Sequence, residues 1–203
     1  MSWRRAALAA VPAALVLLVA GCGAAEPGPN NGPDLSSPTI TGGPVQAIPP
    51  LPSSNPTEVH IEKISATSSL IPLGLNKDRT IATPPVGEPL QASWYKLGPT
   101  PGAQGPAVIL GHINGGGKDG IFAHLNELKP GDQVQVKRED GKTAVFTITK
   151  LEQFPKNGFP TQAVYGDTPD AQIRLITCGG AFNKAAKSYL DNIIASGTLT
   201  GVA

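Results

Sequence analysis

Two alternating segments on either side of an Asp-Gly pair constrain the fold of this chain more than any other feature. Residues Gln133–Arg138 and 143–149 carry apolar side chains at every second position, which is the period of a β-strand with one buried face. Asp140-Gly141 lies between them and is a strong signal for a tight turn. The sequence therefore predicts a β-hairpin over residues 133–149.

Composition extends the prediction of β-structure to the rest of the folded region. The chain contains 24 Gly and 21 Pro among 203 residues, which is too many for a helical bundle. Further short apolar runs lie at residues 59–64, 106–110, 173–177 and 192–195, separated by Gly and Pro. About eight short strands with few helical segments indicate a barrel or a sandwich. Only residues 122–128, apolar at three-residue spacing, predict one or two helical turns.

Residues 1–22 have the layout of an export signal. Arg4 and Arg5 form the charged start, and an apolar run over residues 6–19 follows. Residues 19–22 resemble the lipobox of bacterial lipoproteins, which implies cleavage before Cys22 and lipidation of its thiol. The alternative is an uncleaved anchor, although the run is short for a membrane span of about 20 apolar residues. Both interpretations place the domain outside the cytoplasmic membrane, at its outer face.

A proline-rich segment follows the signal. Residues 23–57 include nine prolines interleaved with small and polar residues and few large apolar ones. Such a segment cannot bury enough apolar surface to offset the entropy lost on ordering. We therefore expect a spacer over residues 23–57 and a folded domain over residues 58–203. The formal net charge of +1 gives no basic footprint of the kind that nucleic-acid binding requires.

Cys178 is the residue most suited to covalent chemistry. It ends the apolar run 173–177 and precedes Gly179-Gly180, where we expect a turn that presents the thiol to a groove. A thiol of pKa about 8.5 needs a basic partner to act as a nucleophile at neutral pH. His112 has the matching setting, because it ends the strand 106–110 and enters a glycine-rich loop. Taken alone, each residue favours a structural role, Cys178 as a small buried hydrophobic side chain and His112 as a structural histidine, whereas the pair in an exported protein predicts a Cys/His site. The other histidines, His60 and His124, are expected to be exposed.

Several short segments of the sequence, in this order, resemble those of the sortases, the cysteine transpeptidases of Gram-positive cell surfaces. The resemblance is greatest to the actinobacterial class E/F type. The segments are residues 94–95, 105–112, 120–125, 128–132, 140–141 and 174–180. The resemblance covers residues 58–197. It implies an eight-stranded β-barrel in which His112 and Cys178 flank a groove for an extended sorting peptide.

The resemblance also implies a reaction. Cys178 would attack the Thr-Gly bond of a motif related to Leu-Pro-X-Thr-Gly, and His112 as imidazolium would protonate the leaving amine. An amine of a cell-wall precursor or of a pilin would then resolve the thioester. Thr177 would contact the substrate; the alternative is an ordinary β-branched strand residue. No cofactor is expected, and scattered histidines without an acidic cluster give no basis for a zinc or calcium site.

One position departs from the family pattern. Sortases carry an arginine on the strand after the cysteine loop, and the match of Tyr189 and of residues 191–192 places Leu190 there. Losing one preorganised donor to the oxyanion typically costs about 10² to 10³ in rate. Three other cations, Arg174, Lys184 and Lys187, are candidate substitutes, and Arg174 shares a strand face with Cys178 by alternation. The alternative to an enzyme is an impaired sortase-fold protein that binds peptides as an accessory module.

Overall fold

The structure, a computed structural model, describes residues 39–203, and this part of the chain is mainly β. Its strands are β1 Thr39–Thr41, β2 Pro56–Ile61, β3 Ala66–Leu73, β4 Ala92–Tyr95, β5 Gly105–Leu110, β6 Asn114–Gly115, β7 Lys118–Asp119, β8 Gln133–Arg138, β9 Thr143–Pro155, β10 Ala171–Asn183 and β11 Ser188–Val202. Helical structure is limited to α1, Thr161–Tyr165, and to 3₁₀ turns at Glu62–Ile64, Leu125–Glu127 and Lys156–Gly158. Within the described residues, no helix is both long and apolar enough to cross a membrane.

Eight of the strands close into a barrel. Their order is β9-β11-β10-β5-β4-β3-β2-β8, and β8 pairs with β9 to complete the ring. The pairs β3–β4 and β5–β10 are parallel, and the other pairs are antiparallel. Closure removes the free strand edges that would otherwise invite association. The predicted eight-stranded β-barrel is confirmed.

The predicted hairpin forms one wall of this barrel. Along β8 every second side chain is buried, and the turn glycine Gly141 has a φ of 80°. Val134, Val136, Phe146 and Ile148 from the two strands are fully buried. Burial of each such side chain contributes roughly 1.5–3 kcal/mol, so the alternation read from the sequence fixes which face of the hairpin lines the core.

An end of the core is filled by the segment that the sequence predicts as helical. Phe122, Leu125 and Leu128 are all fully buried in the main cluster. The helical structure is a single 3₁₀ turn over Leu125–Glu127, the shorter end of the one or two turns predicted.

Strand β10 continues past Cys178, where a turn was expected. Gly179 pairs with Asp191 of β11, and the pairing resumes at Phe182 after a β-bulge. Gly180 sits in this bulge with a φ of 72°, a conformation that favours glycine. The expected turn at Gly179-Gly180 is therefore wrong: the glycine pair relieves a bulge inside a long hairpin, and the chain turns over residues 184–187.

Residues 39–55, which precede the barrel strand β2, form an arm on the barrel surface. β1 pairs with β9 at residues 150–152, and Gly42 N donates to Thr149 O at 2.9 Å. Farther along, Ile48 N donates to Leu199 O at 3.0 Å and Leu51 N donates to Gly102 O at 2.7 Å. The side chains of Ile48 and Leu51 also pack against the main core. This part of the segment expected to be a spacer is held to the barrel along its length.

Arg138 locks the end of the arm. Its side chain is fully buried and donates to Pro52 O at 2.6 Å and to Pro101 O at 2.5 Å. It also pairs with Asp140 at 2.9 Å, and this contact lowers the pKa of the Asp140 carboxyl. A buried guanidinium needs such acceptors because an unpaired buried charge is costly. Amino-acid composition alone does not predict these contacts.

The expected signal over residues 1–22, including Cys22, lies outside the residues that the structure describes.

A second apolar cluster covers the outer face of the barrel next to α1. Val164 of α1 packs with Val108 and Leu110 of β5, Ile176 of β10 and Ile194 of β11. Phe159, Tyr165 and Tyr95 are partly buried against them. Burial, together with the nearby Tyr95, raises the pKa of Tyr165 to about 12. The cluster fixes the outer face of the two strands that lead to His112 and Cys178.

Candidate active site

The parallel register of β5 and β10 brings His112 next to Cys178. Leu110 pairs with Ile176, and Gly111 N donates to Ile176 O at 3.2 Å, which continues the pairing past the end of β5. His112 follows Leu110 by two residues and Cys178 follows Ile176 by two, so a continuation of this register would bring His112 opposite Cys178. Neighbouring strands are about 4.8 Å apart, so two residues distant in sequence become neighbours at one rim of the barrel.

Both side chains line one small cavity. Its volume is about 160 Å³, and Thr83, Pro84, Leu110, Gly111, His112, Ile176, Thr177, Cys178 and Asn192 surround it. Cys178 is a free thiol of intermediate exposure, and its partner across the β10–β11 pair is Asn192. The site thus combines a reachable thiol, an imidazole and a largely apolar floor.

His112 is fixed by contacts on its ring and its backbone. Its Nε2 lies 2.7 Å from the carbonyl oxygen of Pro84. Phe122 N donates to His112 O at 3.0 Å, and a side chain at Gly120 would collide with that same carbonyl. The loop after β5 therefore folds back on His112, and glycine at position 120 allows this close approach.

Thr177 sits between the strand core and the cavity. Its side chain is only 3% exposed, and its Oγ1 has no hydrogen-bond partner among the residues that the structure describes. A buried hydroxyl without a partner costs about 1–3 kcal/mol. Its position at the cavity wall is compatible with the expected substrate contact, because an entering polar group would satisfy this hydroxyl.

Leu190 lies on β11 two residues before Asn192, hence on the same strand face. It is 50% exposed and offers no donor. It lines a cavity of about 440 Å³ together with Pro155, Lys156, Asn157, Ala186, Ser188, Tyr189 and Asp191. The position at which the family pattern has an arginine is thus a solvent-exposed aliphatic side chain.

Arg174 does not replace that arginine. It is buried, and its guanidinium donates to Gln172 Oε1 at 2.6 Å, to Ile173 O at 3.1 Å and to Ala163 O of α1 at 3.5 Å. Burial lowers its pKa. Four residues of strand separate it from Cys178, which is about 13 Å. Arg174 therefore anchors α1, consistent with a structural role.

The remaining cations and histidines lie elsewhere. Lys184 and Lys187 are exposed in the turn between β10 and β11. His60 Nδ1 lies 2.8 Å from Thr67 Oγ1, and His124 Nδ1 lies 2.7 Å from Glu127 Oε1 at the surface. Within residues 39–203 no three His, Cys, Asp or Glu side chains gather as metal ligands would.

Two contacts at the site are not predicted by the amino-acid sequence. Pro84 reaches His112 through its backbone carbonyl, and Asn114 Nδ2 donates to Tyr189 OH at 2.6 Å, which joins the His112 loop to the β10–β11 hairpin. A backbone carbonyl carries no residue-type signature. Asn114 lies two residues after His112, and Tyr189 lies on the hairpin that carries Cys178, so both are near the site in sequence. Their separation of 75 residues gives no sign that they form a hydrogen bond.

Comparisons with known proteins identify the family and the fold. A protein-family model described as the sortase domain matches residues 59–200. Sortase A of Listeria monocytogenes superposes with a TM-score of 0.55 at 15% identity, covering 74% of this chain and 89% of that one. A lid mutant of Corynebacterium diphtheriae sortase A gives a TM-score of 0.55 at 18% identity over 71% of this chain and 69% of that one. The pilus-related sortase C of Group B Streptococcus gives 0.55 at 14% identity over 74% and 69%. No curated protein sequence matches the chain.

Proposed function

Because the chain belongs to the sortase family, we propose that it is a cysteine transpeptidase of the cell surface, with Cys178 as nucleophile and His112 as general acid and base. The observation that carries the proposal is that both side chains line one cavity, His112 just after the end of β5 and Cys178 on the neighbouring parallel strand β10. A substrate carbonyl held in that cavity would lie within reach of both.

The reaction follows from these two groups. The Cys178 thiolate attacks the carbonyl of the Thr-Gly bond in a sorting motif related to Leu-Pro-X-Thr-Gly. His112 as imidazolium gives its proton to the amine that leaves, and a thioester remains on Cys178. An amine of a cell-wall precursor or a pilin then attacks the thioester, His112 takes its proton, and the thiolate is released. Thr177 contributes its unpartnered hydroxyl as a substrate contact.

Attachment to the membrane is part of the proposal. Residues 1–22 are a lipoprotein-type signal, Cys22 carries the lipid, and the chain works at the outer face of the cell membrane. The tether is residues 23–38, shorter than the spacer expected over 23–57, because residues 39–55 are bound to the barrel and residues 56–57 belong to β2. The sortase domain begins at residue 58.

The test is turnover by the full-length chain purified in detergent. A quenched sorting-peptide library and a diamine acceptor are added, and intact mass spectrometry follows the protein. We expect a thioester adduct on the wild type, transfer to the amine, and neither with Cys178→Ala or His112→Ala. Absence of both adduct and turnover with every library pool would overturn the proposal.

A second function is favoured by one observation, the exposed aliphatic side chain of Leu190. Without a donor at this position the chain would bind sorting-type peptides but turn them over slowly, as an accessory module. Peptide binding measured by fluorescence anisotropy, together with the absence of an adduct, distinguishes this alternative from the enzyme.

A further inference from the structure

We propose that the β3–β4 loop holds His112 in its Nε2–H form, so that Nδ1 is the nitrogen that exchanges protons with the substrate. Pro84 is then a positioning residue that acts through its backbone carbonyl. This inference rests on the proposed function and assigns the reacting atom within it.

The direction of the hydrogen bond follows from the chemistry of the acceptor. A carbonyl oxygen only accepts, so the His112 Nε2 that lies 2.7 Å from Pro84 O must carry the proton. The same bond is available to the neutral ring and to the imidazolium, since Nε2 is protonated in both. Nδ1 is therefore the one ring nitrogen left to gain or lose a proton.

The acceptor is held in place by the loop that carries it. Pro84 is buried and lines the cavity, and Pro84, Pro85 and Pro89 restrict the backbone of residues 83–89. Pro89 O accepts from Ile121 N at 2.8 Å. Val86 O lies so close to Gly115 that a side chain there would meet it. The loop thus rests on the His112 loop at three points, and the carbonyl is oriented before substrate arrives.

The opposite side of the His112 loop is braced by a second contact. Asn114 Nδ2 donates to Tyr189 OH at 2.6 Å, and the Tyr189 ring stands edge-on to Phe182 with centroids 5.1 Å apart. Both aromatic residues belong to the hairpin of β10 and β11 that bears Cys178. The His112 ring is therefore held by the β3–β4 loop, and the segment that follows His112 is tied to the thiol-bearing hairpin.

The proton balance of the reaction agrees with this assignment. The Sγ–C bond forms first. When the C–N bond then breaks, the imidazolium gives its Nδ1 proton to the leaving amine and remains as the neutral Nε2–H imidazole. In the second half, the incoming amine forms its C–N bond, the C–Sγ bond breaks, and Nδ1 takes the proton of that amine. The Nε2–H bond to Pro84 O stays intact through both halves, so the ring need not turn over.

The test is NMR on the full-length chain in detergent with ¹⁵N-labelled histidine. At alkaline pH we expect His112 to show an unprotonated Nδ1 and a slowly exchanging Nε2–H with nuclear Overhauser effects to the protons of Pro84 and Pro85. His124 is the internal comparison, because its Nδ1 lies 2.7 Å from the Glu127 carboxylate and should carry the proton. A protonated Nδ1 on His112, or an Nε2–H that exchanges as fast as that of a free ring, would overturn the proposal.

A loop variant adds a kinetic readout. Replacing Pro84-Pro85 by Gly-Gly loosens the loop, whereas the same replacement of the exposed Pro49-Pro50 in the arm is the matched control. The loop variant should lose the slow Nε2–H signal and lower kcat about tenfold or more with little change in KM, since acid–base catalysis contributes about 10²–10⁴-fold. An unchanged His112 signal and kcat in the loop variant would contradict the assignment. If the wild type forms no thioester, the proposed function fails, and the NMR measurement still decides the tautomer.

Discussion

Leu190 lies on the same face of β11 as Asn192, half exposed and without a donor, where the family pattern has an arginine. We expect Leu190→Arg to raise kcat/KM for sorting peptides by about 10² to 10³, the typical value of one preorganised donor to an oxyanion. Steady-state kinetics with a quenched peptide measures it. Leu97→Arg, at another exposed leucine, controls for added charge. An equal rate in wild type and Leu190→Arg would mean that another group already supplies the donor.

Thr177 separates a stability effect from a functional one. Thr177→Val removes a buried hydroxyl that has no partner among the described residues, so the free energy of unfolding should rise by about 1 kcal/mol. Turnover should fall, because the hydroxyl is proposed to contact the substrate. Ser93→Ala is the matched control, since Ser93 is likewise buried and unpaired but does not line the cavity. Unchanged turnover in Thr177→Val would refute the assigned contact.

For single residues, the sequence predicts a site residue when a reactive side chain also stands at a distinctive place, such as the end of an apolar run. Cys178 and His112 each follow an apolar run, and the register of two parallel strands places them together. Pro84 was not predictable, because its contact uses a carbonyl that every residue has. The burial of Arg174 beneath α1 was likewise hidden, since alternation gives the face of a strand but not what packs on it.

Among the secondary-structure elements, the arm is the one whose contribution is least visible in composition. Deleting residues 1–55 should lower the free energy of unfolding relative to deleting residues 1–38 by about 2–4 kcal/mol, from the lost burial of Ile48 and Leu51 and the lost arm hydrogen bonds. Urea denaturation of the two truncated chains measures the difference. Identical midpoints and slopes would show that the arm is not part of the cooperative unit.

The elements differ in how far they could be predicted. The hairpin β8–β9 was predicted because its alternation and its turn glycine give the same answer. The predicted strand ended at residue 177, whereas β10 continues to Asn183. A glycine pair is found in turns and in β-bulges alike, and here it lies in a bulge paired with β11. The arm was interpreted as a spacer, since proline-rich composition reports what a segment cannot form alone and not what it can bind.

For the whole molecule, the strand order is the property that the sequence alone did not determine. Short strands and frequent glycines fit a sandwich as well as a barrel, and closure depends on β8 pairing with β9 and β2 at once. The resemblance to a family supplied that choice, and the family match over residues 59–200 supports it.

The proposed anchor gives a prediction at the same scale. Intact mass of the membrane-extracted protein should show a chain that begins at Cys22 and carries diacylglycerol, and Cys22→Ser should remove the lipid mass. Activity of the Cys22→Ser chain in detergent should be unchanged, because the anchor positions the domain without taking part in catalysis. A wild-type mass that retains residues 1–21 would indicate the uncleaved anchor instead.

The docking of the arm also has a mechanical consequence. Tension applied at residue 39 reaches a three-residue strand and a few backbone hydrogen bonds before it reaches the closed ring of eight strands. The arm should therefore peel away at low force while the barrel stays intact, releasing roughly 55 Å of extended chain from residues 39–55. The arm would thus lengthen the tether under tension, and a domain pulled by a bound protein substrate could move away from the membrane without unfolding.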